Sequence, residues 1–111
     1  MNLIRPLLMI VLMVHFMNLT TAQRFKSVVF DAVDSITAIE YGRAMNIKGS
    51  SESLLMDILF PQGDTMKKRP LVVFIHGGGF QNNSRKGSYS AMVCQGFAKC
   101  GYVTATIDYR L

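Results

Sequence analysis

Three consecutive glycines carry the clearest chemical signal in this chain of 111 residues. Residues 77–79 are all glycine, with His76 before them and Phe80 after them. Because glycine has no Cβ, such a loop leaves its backbone N–H groups uncovered and tolerates positive φ angles. Two N–H donors aimed at one point would stabilise negative charge developing on a substrate oxygen. The alternative is that the glycines form only a flexible turn, as glycine runs often do.

The segment before the glycines indicates how they are positioned. Leu71–Ile75 has no polar alternation, is rich in β-branched and aromatic residues, and lies between Pro70 and Gly77. This pattern predicts a strand buried on both faces, as in a parallel sheet. The glycines would then lie at the carboxyl end of that strand.

A helix is predicted after the loop. Ser88 is a suitable N-cap, the helix would end at Cys100, and Gly101 suits the C′ position. With a strand following, the unit is a βαβ crossover, right-handed by default. Apolar residues at steps of four predict the stripe that lies on the sheet. These residues are Tyr89, Val93 and Phe97, with Met92 beside them.

The residues before this unit indicate edge strands. Residues 28–30 and 36–41 are β-rich and predict a hairpin or meander at the edge of the sheet. Residues 42–53 are polar and predict a loop, and residues 54–60 predict the next strand. Asp57 within that strand is interpreted as an edge-strand carboxylate that faces water, because a buried one would need partners.

Three blocks in this order resemble the α/β-hydrolase esterases. Residues 76–80 after an apolar strand resemble the oxyanion loop of that family. Residues 101–111, which end in Asp-Tyr-Arg-Leu, are similar to its next strand. Residues 54–61 resemble the strand that precedes both in secreted carboxylesterase and feruloyl-esterase-like members. The resemblance covers residues 53–111 and implies an α/β fold: the N-terminal part of a hydrolase sheet, with edge strands and then strand, oxyanion loop, helix and strand.

The resemblance also implies roles within the loop. The N–H groups of Gly78 and Gly79 would form the oxyanion hole, and Gly77 would allow the turn. Phe80 would wall the acyl pocket. His76 would hold the loop through its ring nitrogens, without acting as the general base. The substrate implied is a small-molecule ester, and neither a metal nor a cofactor is implied.

The rest of a serine hydrolase site is expected to lie outside this chain. The family places its nucleophile on a Gly-x-Ser-x-Gly turn, with an acid and a histidine after it. The chain has no such motif, and Ser84, Ser88 and Ser90 lack its context. Asp108 is interpreted as structural. We therefore expect no catalytic Ser, acid or His in this chain, inactivity of the chain by itself, and truncation before the nucleophile. The alternatives are a non-catalytic hydrolase-like binding protein, a truncated remnant, or a small secreted module.

The first 22 residues have the layout of a secretory signal peptide. Arg5 is followed by an apolar run over residues 7–14 and by small or polar residues up to Ala22. The run is shorter than the roughly 20 residues of a membrane span. We expect cleavage after Ala22, export of residues 23–111, and no stable membrane association afterwards; a membrane anchor is the less favoured interpretation.

Charge and cysteine content narrow the choice of partner. The formal charge is +5, and removing Arg5 with the leader lowers it to +4. The basic triplet at residues 67–69 is interpreted as a solvated loop, so nucleic-acid binding is not predicted.

Cys94 and Cys100 are separated by about 9 Å of helical rise, too far for a disulfide between them. They are predicted to be buried free thiols or to pair elsewhere.

The predicted elements leave an apolar surface uncovered. Two strands apolar on both faces are predicted, but only one helix is available to cover them. A hydrophobic strand and a sheet face would then be open to water, which favours aggregation.

Overall fold

The described part of the chain forms a four-stranded sheet with a helix on one face. The computed structural model describes Met9 and residues 23–111, so the predicted signal peptide lies outside the described residues except for Met9. The sheet has the order β1-β2-β4-β3, with β1–β2 and β2–β4 antiparallel and β3–β4 parallel. The predicted α/β arrangement of strand, loop, helix and strand is confirmed. The elements are β1 (Val33–Met45), β2 (Ser51–Pro61), β3 (Leu71–Ile75), α1 (Ser88–Lys99) and β4 (Val103–Ile107).

The hairpin joins β1 to β2, and not residues 28–30 to residues 36–41 as the sequence predicted. The predicted loop over residues 42–53 is wrong, because β1 continues to Met45 and β2 begins at Ser51. The connecting turn is closed by the Asn46 side chain, which accepts the N–H groups of residues 48 and 50 over 3.0 Å each. A polar composition did not exclude a strand here, because this end of the hairpin is largely exposed.

Residues 28–30, predicted as a strand, instead cross the carboxyl end of α1. The N–H of Val29 donates to the oxygen of Lys99 over 3.0 Å. Nearby, Nη1 of Arg24 lies 2.9 Å from Oδ1 of Asp64. This segment satisfies carbonyl groups that have no partner within the helix itself, which is why it does not join the sheet.

The ends of α1 match the prediction at one terminus only. Ser88 is the first helical residue and not the N-cap; Gly87 occupies that position, with no side-chain cap. At the other end Cys100 is the C-cap and Gly101 has a φ of +105°, as predicted for a C′ glycine. The N–H of Gly101 donates to the oxygen of Ala98 over 2.8 Å.

The face of α1 that packs on the sheet is built from small residues. Ser90, Cys94 and Ala98 are buried, and the last two form a core cluster with Leu59 of β2. The hydroxyl of Thr104 in β4 donates to the oxygen of Cys94 over 3.1 Å. The predicted apolar stripe is therefore wrong: small side chains let the helix approach the sheet closely, and large ones flank the contact. Tyr89, Met92 and Phe97 are 65%, 61% and 43% exposed, and Val93 is half-buried.

The outer strand β3 is covered on one face only. Val72 and Phe74 are half-buried on the side of α1. Leu71, Val73 and Ile75 are 59%, 48% and 63% exposed on the other side. The open apolar face expected from the sequence is therefore present, and β3 is not buried on both faces in this chain.

Candidate active site

The glycine loop leaves the carboxyl end of β3, and two of its glycines are required by the backbone. Gly78 has a φ of +133° and Gly79 a φ of +62°, angles that favour glycine. A Cβ on Gly78 would lie 2.0 Å from the oxygen of Asn82, so no side chain fits there. Gly77 has no positive φ, and an added Cβ would meet nothing within 4 Å. The positive φ angles of the turn therefore lie at Gly78 and Gly79, and the role that the resemblance implies for Gly77 stays a prediction.

The N–H groups of these two glycines are available to an external acceptor. Within the described residues, no oxygen accepts a hydrogen bond from the N–H of Gly78 or of Gly79. The carbonyl of Gly78 is used instead, accepting the N–H of Gln81 over 3.2 Å. Backbone donors rarely remain without a partner unless water or a ligand supplies one.

His76 is buried at the entrance of the loop, with 3% of its surface exposed. Its Nδ1 lies 2.8 Å from the oxygen of Gly77, and this contact requires the proton on Nδ1 because a carbonyl only accepts. Its ring stacks on Tyr109, with centroids 4.4 Å apart and planes 19° apart. The hydroxyl of Tyr109 donates to the main-chain oxygen of His76 over 2.7 Å. Both the ring and the backbone of His76 therefore fix the loop.

Phe80 lies at the far side of the loop beside an apolar cleft. It has a φ of +61° and is 76% exposed, with its ring edge 5.7 Å from the Tyr109 ring centroid. The cleft has a volume of about 540 Å³. Its lining residues are Ile75, His76, Gly77, Gly79, Phe80, Ile107, Tyr109 and Arg110. Its walls are apolar, and the glycine backbone forms one side.

A family model described as BD-FAE matches residues 56–111, half of the chain and the part that holds β3, the glycine loop, α1 and β4. The chain belongs to the BD-FAE family. The match includes every loop residue singled out above.

Solved esterases share the fold of this BD-FAE chain. Esterase B from Lactobacillus Rhamnosis (HN001) is similar with a TM-score of 0.57 and 21% identity, over 88% of this chain and 29% of that one. Brefeldin A esterase, a bacterial homologue of human hormone sensitive lipase, is similar with a TM-score of 0.52 and 21% identity. The match covers 78% of this chain and 24% of that esterase. The chain therefore matches the N-terminal part of the α/β-hydrolase fold and spans less than a third of each esterase.

One curated relative is longer still. The non-reducing polyketide synthase nvfA of Aspergillus novofumigatus (strain IBT 16806) is 38% identical over 60 residues. The alignment covers 52% of this BD-FAE chain and 3% of the synthase.

Asp57 is part of a buried ion-pair network in this BD-FAE chain, which corrects its predicted exposure to water. It is 8% exposed, because β2 lies between β1 and β4 and not at the edge. Its Oδ1 accepts Nε of Arg85 over 2.9 Å and the N–H of Ala38 over 2.7 Å, at an irregularity in β1. Burial raises the pKa of Asp57, but the Ala38 N–H and Arg85 outweigh burial and lower this pKa overall.

Arg85 connects Asp57 to Asp108 after β4. It is 7% exposed, and its N–H and Nη1 donate to the two oxygens of Asp108 over 2.7 and 2.5 Å. Burial alone would lower the pKa of Arg85, but the two carboxylates raise it. Asp108 thus has a structural role, as predicted, because it holds Arg85. Sequence reasoning missed Arg85 and Tyr109. The one signal in the sequence was Asp57 within a predicted strand, where a buried carboxylate would need a partner.

The remaining candidate groups lie away from the cleft. In the described chain none of Ser84, Ser88 and Ser90 lines the cleft, and Ser90 is 2% exposed beneath α1. Cys94 and Cys100 are free thiols, and burial raises the pKa of Cys94.

Residues 23–111 bring no three His, Cys, Asp or Glu side chains together as a metal site. No helix among the described residues is long and apolar enough for a membrane span.

Proposed function

We propose that this chain supplies the oxyanion loop of a secreted, serine-dependent carboxylic ester hydrolase. The observation that carries the proposal is the pair of N–H groups at Gly78 and Gly79, which have no acceptor among the described residues. Attack of a serine on an ester carbonyl places negative charge on the carbonyl oxygen. Preorganised backbone donors stabilise that charge without reorganising during the reaction.

The apolar cleft beside the loop would hold the acyl group of a small-molecule ester. Phe80 would form one wall, and Ile75 and Ile107 the floor. An ester bound there would have its apolar part removed from water, which is favourable, and its carbonyl oxygen near the glycine loop. This chemistry requires no metal or cofactor.

The serine, the acid and the general-base histidine would come from residues beyond this chain. His76 is unsuited to the role of base because its Nδ1 is committed to the oxygen of Gly77 and its ring is buried against Tyr109. The chain alone would therefore be inactive. Residues 1–22 would direct export and be removed after Ala22, leaving the hydrolase without a stable membrane contact.

The test is to read the coding message past codon 111 and to express its complete product. We expect a Gly-x-Ser-x-Gly sequence followed by an acid and a histidine. A fluorophosphonate probe should then label that serine, and a serine-to-alanine variant should not be labelled. A stop codon directly after Leu111, or a complete product that the probe does not label, would overturn the proposal in favour of a non-catalytic binding protein.

A further inference from the structure

Two consecutive residues after β4 contact the two ends of the glycine loop. Tyr109 contacts the near end: its hydroxyl donates to the oxygen of His76 over 2.7 Å and its ring stacks on the imidazole. Asp108 contacts the far end, where its carboxylate accepts two bonds from Arg85. The loop over residues 77–84 is therefore held between two neighbouring positions of one backbone.

The far attachment point is itself fixed from several directions. The oxygen of Arg85 accepts the hydroxyl of Thr106 over 3.0 Å, and its Nε donates to Asp57 of β2. Arg85 is thus tied to two strands by its backbone and by its side chain. Because the guanidinium is planar with fixed donor directions, these bonds determine its orientation as well as its position.

A glycine-rich loop needs such attachments in order to act as an oxyanion hole. Glycine loses more conformational freedom on ordering than any other residue, so Gly77, Gly78 and Gly79 do not hold a fixed geometry by themselves. Stabilisation of an oxyanion depends on donors that are already in place before charge develops. The aromatic stack and the ion pair supply rigid contacts on both sides of the glycines.

We infer that Asp108 and Tyr109 are positioning residues that clamp the oxyanion loop at both ends; the catalytic part of this inference rests on the proposed function. Tyr109 also lines the cleft, and the role inferred for both residues is to hold the loop. Tyr109 fixes the peptide that leads into Gly77, and Asp108 fixes Arg85, where the chain leaves the loop. Loosening either end lets the N–H groups of Gly78 and Gly79 move away from the developing charge.

The experiment compares two tyrosine variants of the protein encoded by the complete coding sequence. Tyr109→Phe removes the bond to His76 and retains the ring. Tyr102→Phe is the matched control, because its hydroxyl also donates to one backbone oxygen, that of Phe25 over 3.2 Å, at the other end of β4. For each we would measure kcat and KM with a short-chain aryl ester, inhibition by a boronic acid, and hydrogen exchange of residues 76–85.

The expected result separates positioning from general stability. Tyr109→Phe should lower kcat and boronic-acid affinity about tenfold, with KM within about twofold, because only transition-state contacts weaken. Exchange of residues 76–85 should become faster in Tyr109→Phe than in the wild type. Asp108→Asn, which removes the charge that holds Arg85, should change kcat and exchange in the same direction. Tyr102→Phe should leave all of these values within about twofold of the wild type.

Two results would overturn the inference. Equal exchange of residues 76–85 in the wild type, Tyr109→Phe and Asp108→Asn would show that no clamp exists, whether or not the protein is an esterase. Faster exchange with unchanged kcat in an active enzyme would show that the clamp does not serve catalysis. An inactive wild type would contradict the proposed function and the catalytic role together, while the exchange measurement would still decide whether the loop is clamped.

Discussion

Nε of Arg85 lies 2.9 Å from Oδ1 of Asp57, in a place where each residue is less than a tenth exposed. A buried pair of this kind contributes most visibly when it is broken, since the remaining charge is left without a partner. We expect Arg85→Leu to lower the free energy of unfolding by about 3–5 kcal/mol, measured by urea denaturation. Lys86, the exposed neighbour of Arg85, offers a control. Lys86→Leu should change the free energy of unfolding by no more than about 0.5 kcal/mol. Equal effects of the two variants would contradict the network.

Two ion-paired carboxylates, Asp57 beside Arg85 and Asp64 beside Arg24, make stability depend on pH. The pKa of Asp64 is lowered mainly by the hydrogen bond from Arg24, and that of Asp57 by the Ala38 N–H and Arg85 against the effect of burial. Because the folded pKa values lie below the unfolded value of about 3.9, both groups stabilise the fold above that pH. Their contribution is lost as the pH falls through the lower folded values.

We therefore expect the free energy of unfolding to fall steeply below about pH 4. The double variant Asp57→Asn, Asp64→Asn should be less stable at pH 7 and should show a shallower decline in acid. Urea titrations between pH 7 and pH 2.5 would measure this. A wild type and a double variant that decline in parallel would mean that neither carboxylate has a lowered pKa.

Two glycines of the α1 region should respond to alanine with opposite signs. Gly96 lies within the helix, has no positive φ, and an added Cβ would meet nothing within 4 Å. Gly96→Ala should raise stability by about 0.5–1 kcal/mol. Gly101 has a φ of +105°, and its Cβ would lie 2.9 Å from Nε of Arg24, so Gly101→Ala should lower stability by at least about 1 kcal/mol. Thermal unfolding monitored by circular dichroism measures both; changes of the same sign would be inconsistent with this geometry.

The open side of β3 should cause self-association when residues 23–111 are produced alone. Val73 is 48% exposed on an outer strand, where unpaired backbone groups and apolar side chains recruit other chains. Val73→Lys should lower light scattering at micromolar concentration. Val28→Lys is the control, because Val28 is 63% exposed but lies outside the sheet. If the two lysine variants scatter equally, the strand edge is not the cause.

The parts of the fold set by neighbouring residues were predictable from the sequence. An apolar run of five residues, a glycine triplet and a helix closed by Gly101 predict β3, the loop and α1, because each signal lies within the element it defines. The hairpin bounds were missed because an exposed strand end carries the same polar residues as a loop. The helix face was missed because closeness of approach favoured Cys94 and Ala98 over larger apolar side chains.

The ion-pair and aromatic contacts around the candidate site could not be predicted from the sequence, for a different reason. Asp57 binds Arg85, which is 28 residues away in the sequence. Asp57 lies inside the sheet only because the strand order is β1-β2-β4-β3. Likewise, Tyr109 contacts His76 because β4 pairs with β3 in parallel, which brings their carboxyl ends together. Local patterns identify the glycines that make the turn, but the residues that hold the loop depend on the packing of the whole sheet.

Gly78 offers the most direct test of the account. A Cβ at this position would lie 2.0 Å from the oxygen of Asn82, so Gly78→Ala must displace the loop. The measurement is kcat for a short-chain aryl ester with the complete protein, comparing the wild type, Gly78→Ala and the helical control Gly96→Ala. We predict that Gly78→Ala lowers kcat by about 100-fold or more, as loss of an oxyanion donor does, and that Gly96→Ala leaves it within about twofold. A Gly78→Ala enzyme as active as the wild type would contradict the assignment of this loop as the oxyanion hole.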